Sequence, residues 1–160
     1  MEKLAQDKDL REILFKEIDL VQNVINRMSS NSFLVKGWAI TLIVASLLFV
    51  SSAPFYYHFV TFLPLIAFWF LDAFFLHTEK LYRALYDWLI KNRAMSNDFL
   101  LDLNTQNLKK RFPKVKSAER LMFSKTLFTF YGLLLLIILA VVIADLLAMT
   151  QKNLIIFSPV

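Results

Sequence analysis

The run FWFLDAFFLHTEKLYRALYDWL, residues 68–89, sets one carboxylate, Asp72, inside an apolar stretch. A carboxylate there is costly to desolvate, so it faces a partner charge, water or another polar group. Lys36 enters the preceding apolar stretch at a similar depth, and the sequence predicts a Lys36–Asp72 ion pair between two helices. Three roles are open to Asp72: an interfacial or packing contact, a part in proton or ion passage or in a gating rearrangement that changes its partner, and a contact between subunits. Asp145 stands near the far end of a third apolar stretch, where it is expected to be solvated at the interface or paired with Lys152 or a lysine of a neighbouring subunit. It is too remote from Asp72 for the two to act as acid and base on one substrate. His58 and Thr61 fall roughly on the Asp72 side of their helix, extending a thin polar line, and Pro64 is expected to kink that helix.

Other chemistry lacks its residues. The chain has no cysteine, which excludes thiolate nucleophiles, disulfides and cysteine metal sites. His58 and His77 stand in no metal-binding spacing, and there is no glycine-rich phosphate loop or nucleophile elbow. The expectation is a protein without catalytic residues, cofactor or metal. The run KKRFPKVK supplies five cations: Lys109, Lys110, Arg111, Lys114 and Lys116. Such a patch can hold phosphate, but next to an apolar span it reads as an anchor for anionic lipid, and no nucleic acid partner is expected.

The elements that must carry these residues are helices in lipid. Of 160 residues, 58% are hydrophobic and 19% charged, too apolar for a soluble domain. Three stretches are long enough to span a bilayer at about 20 residues each, roughly 33–53, 55–77 and 126–149. The first two, joined by Ser-Ser-Ala-Pro, should form a hairpin. The N-terminus is charged throughout and offers no cleavable signal. Six of the eighteen Lys and Arg residues lie up to Lys36, eleven from Lys80 to Lys125, and one beyond span three. By the positive-inside rule, residues 1–30 and 78–125 face the cytoplasm and the 150–160 tail lies outside, which also accounts for the net charge of +5.

Residues 1–30 read as an amphipathic helix, with Leu10, Ile13, Leu14, Ile18, Val21, Val24, Ile25 and Met28 on one side and a break at Ser-Ser-Asn-Ser, 29–32. Glu79, Arg83, Asp87 and Lys91 follow at four-residue steps, so span two should continue to about residue 93 as one helix with Asp72 at the inner end of its charged line. Leu81, Leu85, Trp88 and Leu89 take the opposite side and are expected to pack against a partner. Asp98 is a cap candidate for a short helix, and Ser117 with Glu119 should start a helix running unbroken into span three. With only Gly37 and Gly132, close helix approach through glycines is excluded, and a homo-oligomer packed by bulky side chains is expected.

The fold class expected is thus an all-α integral membrane protein: a transmembrane hairpin at 31–77, a third span, and cytoplasmic amphipathic helices. The segment EIDLVQNVINRMSSNSFLVKGWAITL, 17–42, taken with 68–89, resembles a family of small bacterial multi-pass inner-membrane proteins. Asn31-Ser32-Phe33, Lys36-Gly37-Trp38 and Phe70-Leu71-Asp72-Ala73 carry the resemblance, which covers roughly residues 12–95. Similar proteins stand beside anti-phage defence genes. The resemblance implies a membrane effector or membrane component of anti-phage defence, and the function expected is that cytoplasmic helices receive a small signalling ligand or protein partner and the spans then alter membrane integrity or conductance. A passive anchor recruiting a soluble enzyme, and a small channel or transporter subunit, are the alternatives.

Overall fold

Charged and apolar residues alternate by segment along this chain, and its helices follow that division. The computed structural model describes residues 2–50, 55–93, 96 and 100–157. Helix α1 covers Glu2–Val50, a 3-10 helix covers Phe55–Thr61, and α2 covers Phe62–Asn92. Short helices α3, Thr105–Arg111, and α4, Ala118–Met122, precede α5, Lys125–Phe157. The described residues contain no strand, and three helical stretches, Arg11–Val50, Tyr56–Asn92 and Lys125–Gln151, are long and apolar enough to cross a membrane. The expected Ser-Ser-Ala-Pro turn, the Asp98 cap and the side chain of Lys152 lie outside the described residues.

The chain divides into two compact units, one of Met1–Phe33 with Ala73–Leu121 and one of Leu34–Asp72 with Met122–Val160. The first unit is ordered as a water-soluble bundle is. Val21, Leu81, Tyr82, Leu85, Leu89 and Leu108 form its buried core, while Arg11, Glu12, Lys16, Asp19, Arg27, Arg83, Asp87 and Lys91 are exposed. Leu81, Leu85 and Leu89 recur every fourth residue on one stripe, and burying each contributes about 1.5–3 kcal/mol. Helix α3 begins at Asn104, whose side chain accepts from the Gln106 N–H at 2.9 Å, and ends at Phe112, whose position before Pro113 disfavours helical backbone.

The second unit inverts that order. Asp72 and Thr61 are fully buried and His58 nearly so, whereas Leu48, Phe49, Phe59, Leu63 and Leu136 are all more than 60% exposed. Such a surface suits hydrocarbon, where polar groups must find partners inside the protein. Asp72 and Phe68 contact Tyr131, and His58 contacts Asp145, so residue numbers fall along α2 and its 3-10 lead as they rise along α5. The two stretches therefore run antiparallel.

Four boundaries differ from expectation. Helix α1 passes through 29–32 without a break, because Ser and Asn at a helix interior cost only a few tenths of a kcal/mol and no glycine or proline intervenes. Pro64 falls in the first turn of α2, where its missing N–H costs nothing, so it starts the helix instead of kinking it. Helix α4 stops at Met122, whose carbonyl accepts from the Trp69 indole at 2.9 Å, and α5 restarts with the Phe128 N–H donating to Ser124. The last helix then continues to Phe157, beyond the expected end near 149.

The start of α4 has a consequence in pH. A hydrogen bond from the Ser117 hydroxyl holds the exposed Glu119 carboxyl below the ordinary glutamate range, helped by its own N–H and, more weakly, by His77 and Lys109. A carboxyl depressed in the folded state stabilises it above the unfolded value, and that stabilisation is lost as pH falls through the folded one. An NMR titration of the Glu119 side chain should give a midpoint below that of ordinary glutamate, and Ser117→Ala should raise it. An unchanged midpoint in the variant would contradict this cap.

Candidate functional site

In the second unit, Lys36 Nζ lies 2.6 Å from Asp72 Oδ2. The same oxygen is 3.2 Å from the Tyr131 hydroxyl, which also lies 3.2 Å from the Phe68 carbonyl. Three helices thus meet at one carboxylate: α1 through Lys36, α2 through Asp72 and α5 through Tyr131. Trp69 stacks on Tyr131 with ring centroids 5.7 Å apart, and its indole is tied to the Met122 carbonyl, so the phenol is fixed in position. Phe130 closes the other side, its ring centroid 6.0 Å from the lysine nitrogen.

The exposures are unequal in a way that assigns roles. The Asp72 side chain has none, while Lys36 keeps 23%. Lysine can carry its charge outward on a flexible stem, whereas the carboxylate cannot follow. If the pair opens, Lys36 moves and Asp72 stays behind as a buried charge, a state costing about 3–5 kcal/mol. Asp72 differs in exposure from the rest of its charged line: Arg83, Asp87 and Lys91 are exposed, Arg83 pairing with Glu79 at 2.7 Å, but Asp72 is enclosed.

A second polar contact lies elsewhere in the same unit. His58 Nε2 is 2.8 Å from Asp145 Oδ2, a partner that was not expected, and the Asp145 side chain also keeps 43% exposure. Thr61, one 3-10 turn after His58, is fully buried, and its hydroxyl has no hydrogen-bond partner among the described residues. Asp145 stands fourteen residues after Tyr131, about 21 Å along α5 at 1.5 Å per residue. Asp72 and Asp145 accordingly hold two separate layers and share no site.

The first unit itself fills one of the expected surfaces and draws one residue away from another. Leu81, Leu85 and Leu89 are buried against Val21 and Leu108, and Trp88 packs at the edge of that cluster. The side expected to receive a partner is occupied by the chain's own α1 and α3. Within the basic run, Arg111 lies 3.8 Å from the centroid of the Trp88 ring, which removes it from any free patch. Lys109, Lys110, Lys114 and Lys116 are exposed, and the Lys116 carbonyl accepts from His77 Nδ1 at 2.8 Å.

Sequence reasoning passed over Tyr131 and a buried ion pair, Glu17–Arg93. Glu17 Oε2 lies 2.6 Å from Arg93 Nε, and Oε1 accepts from Arg93 Nη2 and from the Leu101 N–H, each at 2.8 Å. Leu101 has φ 53, a left-handed conformation that costs an L-residue about 1–2 kcal/mol. The carboxylate thus holds a strained turn as well as a guanidinium. A signal was present: Glu17 is four residues before Val21, and Arg93 four after Leu89, which places both charges on apolar stripes.

The chain matches no protein-family model, no curated protein and no solved structure. Its site must be argued from its own geometry. Arg93→Met should destabilise the first unit by about 3–5 kcal/mol by leaving Glu17 unpaired, with accelerated hydrogen exchange at the Leu101 amide. Combining it with Glu17→Met should recover most of the stability but not the protection of Leu101. Losses that simply add in the double variant would refute this role for the pair.

Proposed function

We propose that this chain is a non-enzymatic, homo-oligomeric protein of the bacterial inner membrane, a membrane effector or component of a defence or stress system that alters membrane integrity or conductance on a cytoplasmic signal. The observation that carries the reading is the Lys36–Asp72–Tyr131 cluster, a fully buried carboxylate shared by three helices within a unit whose exterior is apolar. Asp72 and Lys36 act as the gate: while the pair is closed the three helices are held together, and when Lys36 leaves, the stranded carboxylate favours a rearranged packing. Helices α1 and α2 contribute residues to both units, so a signal at the charged unit has a covalent helical route to this cluster.

The distribution of Lys and Arg supports a cytoplasmic N-terminus, a cytoplasmic 78–125 region, a hairpin of the first two spans and an extracytoplasmic C-terminus. The exposed Lys109, Lys110, Lys114 and Lys116 then face anionic lipid headgroups on the cytoplasmic side. Oligomerisation is supported by the apolar exterior of α5, a surface that other copies or lipid must cover. The scaffold reading is weakened, because the apolar side on which it relied is filled by Val21 and Leu108.

Controlled expression in a bacterium carrying a membrane-potential dye tests the proposal. The activated wild type should depolarise cells, and Asp72→Asn should lose most of that signal at equal membrane abundance. If the wild type never depolarises cells, or Asp72→Asn behaves as the wild type does, the gating mechanism is wrong.

A further inference from the structure

His58 is a buried imidazole in a stretch apolar enough to cross a membrane, and the described structure gives it a partly exposed carboxylate as partner. Histidine is the side chain whose charge changes near neutral pH, and intramembrane titratable groups are retained for function far more often than by accident. It lies in the 3-10 helix Phe55–Thr61, which packs against α5. Short 3-10 stretches have poorer hydrogen-bond geometry than α-helix and often mark hinges.

The neighbouring apolar stretches carry few charged residues. Asp145 is the only charged residue on α5 from 126 to 151, and α1 from Gly37 to Val50 and α2 from Phe62 to Leu71 carry none. The 3-10 helix itself adds Tyr56 and Tyr57, of which Tyr56 is 63% exposed and Tyr57 41%. Residues three apart eclipse on a 3-10 helix, so Thr61 sits on the His58 side, its buried hydroxyl lacking a hydrogen-bond partner among the described residues.

We propose that His58 and Asp145 form a proton-binding site that clamps the 3-10 helix to α5. With the proton bound, the contact is a charge-assisted pair between imidazolium and carboxylate in apolar surroundings. When the proton leaves, a neutral imidazole no longer offsets the carboxylate, and Asp145, whose side chain is 43% exposed, turns to the interface for solvation. The 3-10 helix is thereby released from α5 in alkali and held to it in acid. This site stands apart from the Lys36–Asp72 gate and does not depend on the depolarisation reading.

The full chain in lipid nanodiscs provides the test. Only two histidines exist, so ring-15N histidine NMR resolves His58 from His77, and the absence of cysteine allows spin labels at Phe59→Cys and Leu136→Cys, both exposed positions. The 59–136 distance distribution should shift from one narrow population to a longer, broader one as pH is raised and the ring-15N signals show His58 losing its proton. Asp145→Asn and His58→Gln should each abolish the pH dependence of the distance. The proposal is overturned if the ring-15N signals show one protonation state of His58 at every pH where the protein stays folded, if they change while the distance stays fixed, or if the shift survives in both variants.

Discussion

One oxygen of Asp72 receives both the Lys36 ammonium and the Tyr131 hydroxyl, and the second unit is organised around that fact. Between apolar helices there is no hydrophobic driving force once lipid surrounds them, so association rests on packing and on polar contacts. Asp72 supplies such a contact to two neighbours at once. Its burial makes the arrangement decisive, because a carboxylate enclosed without its cation is a state the protein avoids by several kcal/mol. Trp69 extends the constraint by stacking on Tyr131 and binding the Met122 carbonyl, which fixes where α5 begins relative to α2.

The two units obey opposite rules with one alphabet. In the first, leucines at 81, 85 and 89 turn inward and charges turn outward, and the exceptions, Glu17 and Arg93, are buried as a pair. In the second, phenylalanines and leucines turn outward while Asp72, His58 and Thr61 are enclosed. Its polar contacts gather in two layers about 21 Å apart on α5, separated by a run from Gly132 to Ala144 with no side chain that can ionise. That separation is shorter than a hydrocarbon core of about 30 Å, and Lys36 and Asp145, one in each layer, keep partial exposure.

Much of this was legible in the residues. Lys36 and Asp72 enter their stretches at matching depth, and depth is what decides which charges meet in an apolar medium. The His58–Asp145 contact was not legible, since it joins positions 87 residues apart and depends on how far the 3-10 helix displaces His58 from an α-helical angle. Tyr131 was hidden for another reason: a phenol among apolar residues looks like packing until its acceptor is known. Ser-Ser-Asn-Ser at 29–32 misled because the same residue types that cap helices are tolerated inside them. Pro64 was misread because its meaning depends on the first residue of α2, and helix starts are the least certain feature of a sequence pattern.

The central claim is that Lys36 and Asp72 act as one coupled unit holding three helices. A double-mutant cycle on thermal unfolding of the purified protein in detergent measures that coupling directly. Lys36→Met and Asp72→Leu should each be strongly destabilised, while the protein carrying both changes should unfold close to the wild-type temperature. If the two losses are small and simply add, the pair is incidental and the account of this site fails.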